Sequence, residues 1–238
     1  MHRFYVEDGE SLAAEDARHA ARVLRLKPGD PVEIFRGEER WAAVLTEVSE
    51  DAARCRLTER LPSTEARLRI TLFQGIPKGD KLEMILQKAT ELGAHGLTPV
   101  AMRRSVPQWK EKEAEKKLER WNRIVREAAK QSGRCRPTEV GAPLPFAALP
   151  KALAAYDACL VPWENAAGYG LADFHREKPE IRSLAVVIGP EGGITPEEIE
   201  ALTAAGARTV TLGPRILRTE TAGLACLSAL LCLYGEMA

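Results

Sequence analysis

Two stretches of the sequence combine backbone-exposing residues with side chains able to move a proton or hold an anion. The first is Val186-Val187-Ile188-Gly189-Pro190-Glu191-Gly192-Gly193-Ile194-Thr195-Pro196-Glu197-Glu198-Ile199. An apolar run enters a glycine-rich turn, and Thr195 with Glu198 then forms a capping box around Pro196, so a strand end, a bare main chain and a helix start coincide. Glycines let the main chain approach a ligand closely, and strand carboxyl ends are where open α/β sheets bind them. An ordinary tight βα turn is the bland alternative. The composition of Gly189 to Gly193, four Gly or Pro and one Glu, argues against it.

The second stretch is Leu212-Gly213-Pro214-Arg215-Ile216-Leu217-Arg218-Thr219-Glu220-Thr221-Ala222, again at a strand-to-helix junction. Arg215 and Arg218 suit a phosphate or carboxylate, while Thr219 or Thr221 can cap the helix and Glu220 falls in its first turn. Taken alone, Glu220 reads equally as a residue favoured by the helix dipole and the arginines as solvated. Neither stretch is a nucleotide fingerprint: no G-x-G-x-x-G follows a strand and no G-x-x-x-x-G-K-[ST] occurs. The five cysteines form no C-x-x-C pair and the four histidines do not cluster with them, so no metal site is expected.

Elements that position these turns follow from periodicity. Leu12 to Leu26 has a helical rhythm, and short alternating runs at Pro31 to Phe35, Trp41 to Val48 and Ala53 to Leu61 predict a small β-barrel. Leu61-Pro62-Ser63-Thr64-Glu65 reads as a linker, giving domains at 1–66 and 67–238. Strands then alternate with helices: Leu68 to Gln74, Leu97 to Met102, Tyr156 to Val161, Leu184 to Ile188 and Arg208 to Leu212 are the strand candidates. Between them, Asp80 caps a helix with an apolar stripe through Leu82, Ile85, Leu86, Ala89 and Leu92, ended by Gly93. A long basic helix from about Gln108 to Gln131 buries Leu118, Trp121, Val125 and Ala128. This pattern predicts an α/β protein with a mostly parallel sheet.

The 238 residues carry 34 Lys+Arg and 34 Asp+Glu, so net charge alone gives no reason to expect nucleic acid. The distribution does: between Arg103 and Arg136 twelve Lys/Arg stand against five Glu, which predicts a basic face. The N-terminus is charged too soon for a signal peptide and no run approaches the ~20 apolar residues of a membrane span, so no membrane is expected as a partner and a cytoplasmic location is.

The paired stretches resemble the cofactor-site motifs of the RsmE family of SPOUT RNA methyltransferases. The resemblance extends to Gly75-Ile76-Pro77-Lys78-Gly79-Asp80-Lys81, Gln87-Lys88-Ala89-Thr90-Glu91-Leu92-Gly93 and Lys130-Gln131-Ser132-Gly133-Arg134, and in the first domain to Arg3-Phe4, His19 and Val23-Leu24-Arg25. Lys130 departs from the pattern, standing where Glu is more common. The resemblance implies a trefoil-knotted α/β domain following a PUA-like barrel, acting as a homodimer. S-adenosyl-L-methionine would be the cofactor and N3 of a uridine in 16S ribosomal RNA of the small ribosomal subunit the target. Cofactor contacts are then expected from Leu160, Ile188, Gly189, Pro190, Gly192, Leu212, Gly213, Ile216, Leu217, Thr221 and Ala222. Glu191 or Glu220 would take the imide proton, with Arg218 holding the base. Arg3, Arg25, Lys78, Lys88, Arg123, Arg126 and Arg134 would contact RNA; Glu91 or Lys88 is a further way to complete the site. A ribose 2′-O methyltransferase and a non-enzymatic RNA-binding or ribosome-assembly factor are the alternatives.

Overall fold

Alternation in the first sixty residues resolves into β1 (His2–Tyr5), β2 (Pro31–Arg36), β3 (Glu39–Val48) and β4 (Ala53–Leu61). They form one sheet in the order β1-β2-β3-β4, β1 parallel to β2 and the rest antiparallel. Residues two apart point to one face, and Val32, Ile34, Ala43, Leu45, Ala53 and Cys55 bury there with Phe4, Ala17 and Ala20. The expected helix over Leu12 to Leu26 is shorter: α1 (Ala14–Arg18) passes into a π-helical turn, His19–Val23, closed by the Leu24 N–H donating to His19 O at 3.0 Å. The expected barrel is an open path of four strands among the described residues. In this computed structural model the described residues are 1–6, 9–106 and 114–237.

The chain divides into two units, Met1–Glu65 with Ala129–Pro137, and Ala66–Ala128 with Thr138–Ala238. The single cut expected near residue 66 therefore misses a segment. Tyr5 donates to Arg134 O at 2.7 Å, Thr64 to Gly133 O at 2.9 Å, and Lys130 pairs with Asp16 at 2.7 Å. Arg134 is the correction that matters functionally. It is 4% exposed and meets Glu65 through Nη2 at 2.6 Å, while Glu65 also accepts from the Cys135 N–H at 2.9 Å. A guanidinium so enclosed is a structural pin rather than the RNA contact expected of it. Arg134→Met is expected to cost about 3–5 kcal/mol, because the Glu65 carboxylate would be left buried without its partner. Chemical denaturation reads this; unchanged stability would return Arg134 to the RNA-binding set.

In the second unit, β5 (Arg69–Gly75), β6 (Gly96–Ala101), β7 (Glu139–Val140), β8 (Leu144–Pro145), β9 (Ala158–Pro162), β10 (Ser183–Ile188) and β11 (Arg208–Val210) make one parallel sheet in the order β11-β9-β10-β5-β6-β7, with β8 also on β6. The central strands are buried on both faces, which is why β10 reads Leu184-Ala185-Val186-Val187-Ile188 without alternation. Around the sheet lie α2 (Lys81–Leu92), α3 (Ala114–Ser132), α4 (Leu149–Leu153), α5 (Leu171–Glu177), α6 (Pro196–Ala204) and α7 (Thr219–Leu233). The beginning of the expected basic helix, 108–113, lies outside the described residues. One apolar cluster joins β5, α2, β10 and α7 through Leu72, Ile85, Val186, Leu227 and Leu230; another joins Phe73, Val161, Val187, Ile199 and Leu202 on the opposite face.

Local signals mostly hold where backbone chemistry is strong. Gly93 ends α2 at φ 101°, and the α6 capping box is complete: the Glu198 N–H donates to Thr195 Oγ1 at 3.3 Å and the Thr195 N–H to Glu198 Oε2 at 2.9 Å. Two expected caps fail. Asp80 occupies the N-cap of α2 without a side-chain hydrogen bond, and α7 is preceded by Arg218 rather than capped by Thr219 or Thr221.

Candidate active site

Registers align the strand ends. Ile188 lies opposite Gln74, Val186 opposite Leu160, and Pro162 opposite Val210, so the chain segments leaving β5, β10, β9 and β11 emerge at one carboxyl edge. The two glycine-containing turns meet there around a cavity of about 550 Å³, within the usual range for a small-molecule site. Ile188, at the end of β10, and Ala222, in the first turn of α7, line it. The first turn contributes Gly189, Pro190, Glu191 and Gly192, and the second Ile216, Leu217 and Arg218. Ile216 is 85% exposed, an apolar side chain at the cavity without apolar cover.

The turn after β10 is bare for steric reasons. A Cβ on Gly189 would lie 2.7 Å from the Ile194 side chain and 3.2 Å from the Gly193 carbonyl carbon, and one on Gly192 would lie 2.9 Å from the Arg104 Cβ. Arg104 also donates to Gly192 O at 2.8 Å, fastening the loop after β6 to this turn. Beneath it, a Cβ on Gly75 would come within 2.6 Å of Pro190, so the end of β5 is the seat of the turn.

Charge concentrates on one side. The Lys81 ammonium stands 3.0 Å from Glu191 Oε1 and 3.3 Å from Glu220 Oε2, bridging the two carboxylates that could serve as base. Glu191 also accepts the Lys78 N–H at 3.1 Å. Burial pushes its carboxyl upward, but the Lys81 ammonium and backbone donors outweigh that and hold it below the usual carboxylate range. Hydrogen bonding to Glu191 in turn raises Lys81. Glu220 is not at the cavity wall; its Oε2 is buried and, although within ion-pair distance of Lys81, accepts no well-formed hydrogen bond.

Several expected residues fall elsewhere. Leu160 is fully buried in the core beneath the site, Leu212 packs on that core, and Gly213 (φ 99°) and Thr221 are exposed without lining the cavity. Lys88 is spent on Glu91 at 2.9 Å, a helix-surface pair that leaves the further carboxylate option unsupported. Arg123 and Arg126 are exposed on α3 and Lys78 is exposed before α2; in the first unit Arg25 is exposed and Arg3 pairs with Glu33 at 3.5 Å. Lys81, Pro162, Trp163, Glu164, Gly193, Ile194 and Thr219 line the cavity although the sequence alone did not mark them as cofactor residues. Pro162-Trp163-Glu164 was findable, since it leaves a third strand at the same sheet edge.

Glycine-containing turns at the carboxyl edge of a parallel sheet make a ligand site, and the sequence matches give its class, an RNA methyltransferase: residues 64–231 match the RNA methyltransferase domain family and residues 12–58 the RNA methyltransferase PUA domain. The chain is 39% identical over 227 residues to the ribosomal RNA small subunit methyltransferase E of Bacillus subtilis (strain 168), covering 92% of this chain and 88% of that one. It is 35% identical over 242 residues to the protein of that name from Mycobacterium tuberculosis, covering 95% and 89%. Among solved structures, a ribosomal RNA small subunit methyltransferase E from Neisseria gonorrhoeae bound to S-adenosyl methionine matches with a TM-score of 0.82 at 31% identity, over 98% of each chain. The chain belongs to the ribosomal RNA small subunit methyltransferase E family.

Proposed function

We propose that the protein methylates N3 of a uridine in 16S ribosomal RNA of the small ribosomal subunit, using S-adenosylmethionine. The observation that carries this reading is the cavity between the two glycine-containing turns, in a chain whose relatives bear the small-subunit methyltransferase name. The residues fit the cofactor. Ile188, Ile216, Leu217 and Ala222 offer an apolar face to a purine, the close-packed Gly189 turn brings main chain to the cavity, and Glu164 suits the hydroxyls or positive charge of the ligand. When bound, that cofactor supplies an electrophilic methyl group on a sulfonium.

What this chain does is orient, exclude water and accept a proton. The uridine imide would give its N3 proton to a carboxylate as the N3 electron pair takes the methyl group, the methyl–sulfur bond breaking with its electrons left on a neutral thioether. Glu191 lines the cavity and is the better placed acceptor; Glu220 supports it through Lys81. Arg218 at the mouth is suited to a uracil carbonyl or phosphate. Ribose methylation would need a hydroxyl at the same point. Mass spectrometry of small-subunit RNA incubated with protein and labelled cofactor separates the readings: 3-methyluridine is expected, a 2′-O-methyl nucleoside would overturn the target atom, and no label would overturn the activity. The trefoil threading and the homodimer enter with the family resemblance, and equilibrium sedimentation tests the second.

RNA affinity is expected to fall with salt, because neutralised phosphates release counterions. Substituting the exposed Arg123 and Arg126 with Gln should reduce the slope of log affinity against log salt by roughly 0.7–0.9 for each phosphate no longer neutralised. An unchanged slope in the double variant would make this face of α3 an ordinary solvated surface.

A further inference from the structure

The apolar strand β5 ends on an amide. Gln74 is fully buried beside Ile188 of β10. A buried amide is costly unless hydrogen-bonded, and this one is only partly so. Its Nε2 donates to Thr219 Oγ1 at 2.9 Å and to Gly75 O at 3.1 Å, whereas Oε1 is buried with no hydrogen-bond partner. Thr219 Oγ1 in turn stands 2.6 Å from Gly189 O. A carbonyl can only accept, so the Thr219 hydroxyl donates to Gly189 and must accept from Gln74. That fixes the amide orientation and leaves Oε1 facing α7, where a Cβ on Gly223 would lie 3.4 Å from it.

The sequence amide, hydroxyl, carbonyl joins three elements: the end of β5, the first turn of α7 and the turn after β10. Gly189 and Thr219 line the cavity; Gln74 does not. An apolar side chain of the same shape would bury no orphaned Oε1, which offsets the bonds to Thr219 Oγ1 and Gly75 O that it gives up, so stability gains little from glutamine here. We propose that Gln74 is a positioning residue of the cofactor site. Through Thr219 it holds the glycine-rich turn and the start of α7 at the separation the ligand requires, at some cost to the stability of the empty fold. This rests on reading the cavity as the S-adenosylmethionine site.

Gln74→Met keeps the length of the side chain and removes its hydrogen bonding. Without cofactor, its Tm is expected to equal or exceed that of the unsubstituted protein, while the Kd for S-adenosylmethionine measured by calorimetry rises roughly tenfold. Thr219→Val should weaken binding by a similar factor and Thr219→Ser, which keeps the hydroxyl, should not. A purely structural amide would lower Tm and affinity together, and that result, or an unchanged Kd in Gln74→Met, overturns the proposal. Absence of binding by the unsubstituted protein would overturn the reading of the cavity, and the positioning role with it.

Discussion

Gly189→Val is expected to weaken S-adenosylmethionine binding by on the order of 100-fold, with the far-ultraviolet spectrum of the fold retained. Even the first carbon of the new side chain would sit 2.7 Å from Ile194 and 3.2 Å from the backbone at Gly193. The branched remainder then demands a χ1 rotamer in a turn already closed by the Gly193 N–H donating to Pro190 O at 2.9 Å. The turn must open, and the cavity it walls changes shape. Gly192→Val is expected to weaken binding as well, because its Cβ would lie 2.9 Å from the Arg104 Cβ, an atom bonded directly to the backbone of the loop after β6, and turn and loop must move apart. Isothermal titration of both variants checks this. Affinity near that of the unsubstituted protein in Gly189→Val would remove this turn from the cofactor site.

Glu191→Gln is expected to slow single-turnover methyl transfer by ~10²–10⁴-fold while cofactor and RNA still bind. Glu220→Gln should cost much less, since Glu220 acts on the cavity only through Lys81. The pH dependence follows from the direction of the Glu191 shift. Its carboxyl lies below the usual range, so it is ionised throughout neutral pH and protonates only as pH falls through that lowered value. A rise in rate across neutral pH therefore belongs to ionisation of the imide. The variant should regain ground at high pH, where the imide loses its proton unaided. The same shift makes the folded state more stable above the ordinary carboxylate pKa, a contribution lost as pH falls through the lowered one. Near-normal rates in Glu191→Gln would transfer the proton acceptor to another group.

The local grammar of this chain was legible without coordinates wherever one residue type has one physical use. Gly93 at a left-handed helix end, Thr195 and Glu198 around Pro196, and the unbroken apolar run of β10 each specify a backbone state by themselves. So did the site's two turns, because bare backbone at a strand end is rare and directional. Sequence order does not encode which separated segments share an edge, and there the structure decided. Lys81 reads as the first residue of an amphipathic helix, yet it joins Glu191 and Glu220 from more than a hundred residues away. Arg134 reads as one more positive charge in a basic stretch, yet Glu65 encloses it, and a charge that must be desolvated takes its partner from whatever the fold brings near. Thr219 reads as a helix cap, yet its hydroxyl donates to Gly189 O and accepts from the buried Gln74 amide, since enclosed polar groups take their partners from whatever the fold brings near. Periodicity and turn chemistry determined the elements; strand register, fixed by burial on both faces of the sheet, determined which side chains became a site.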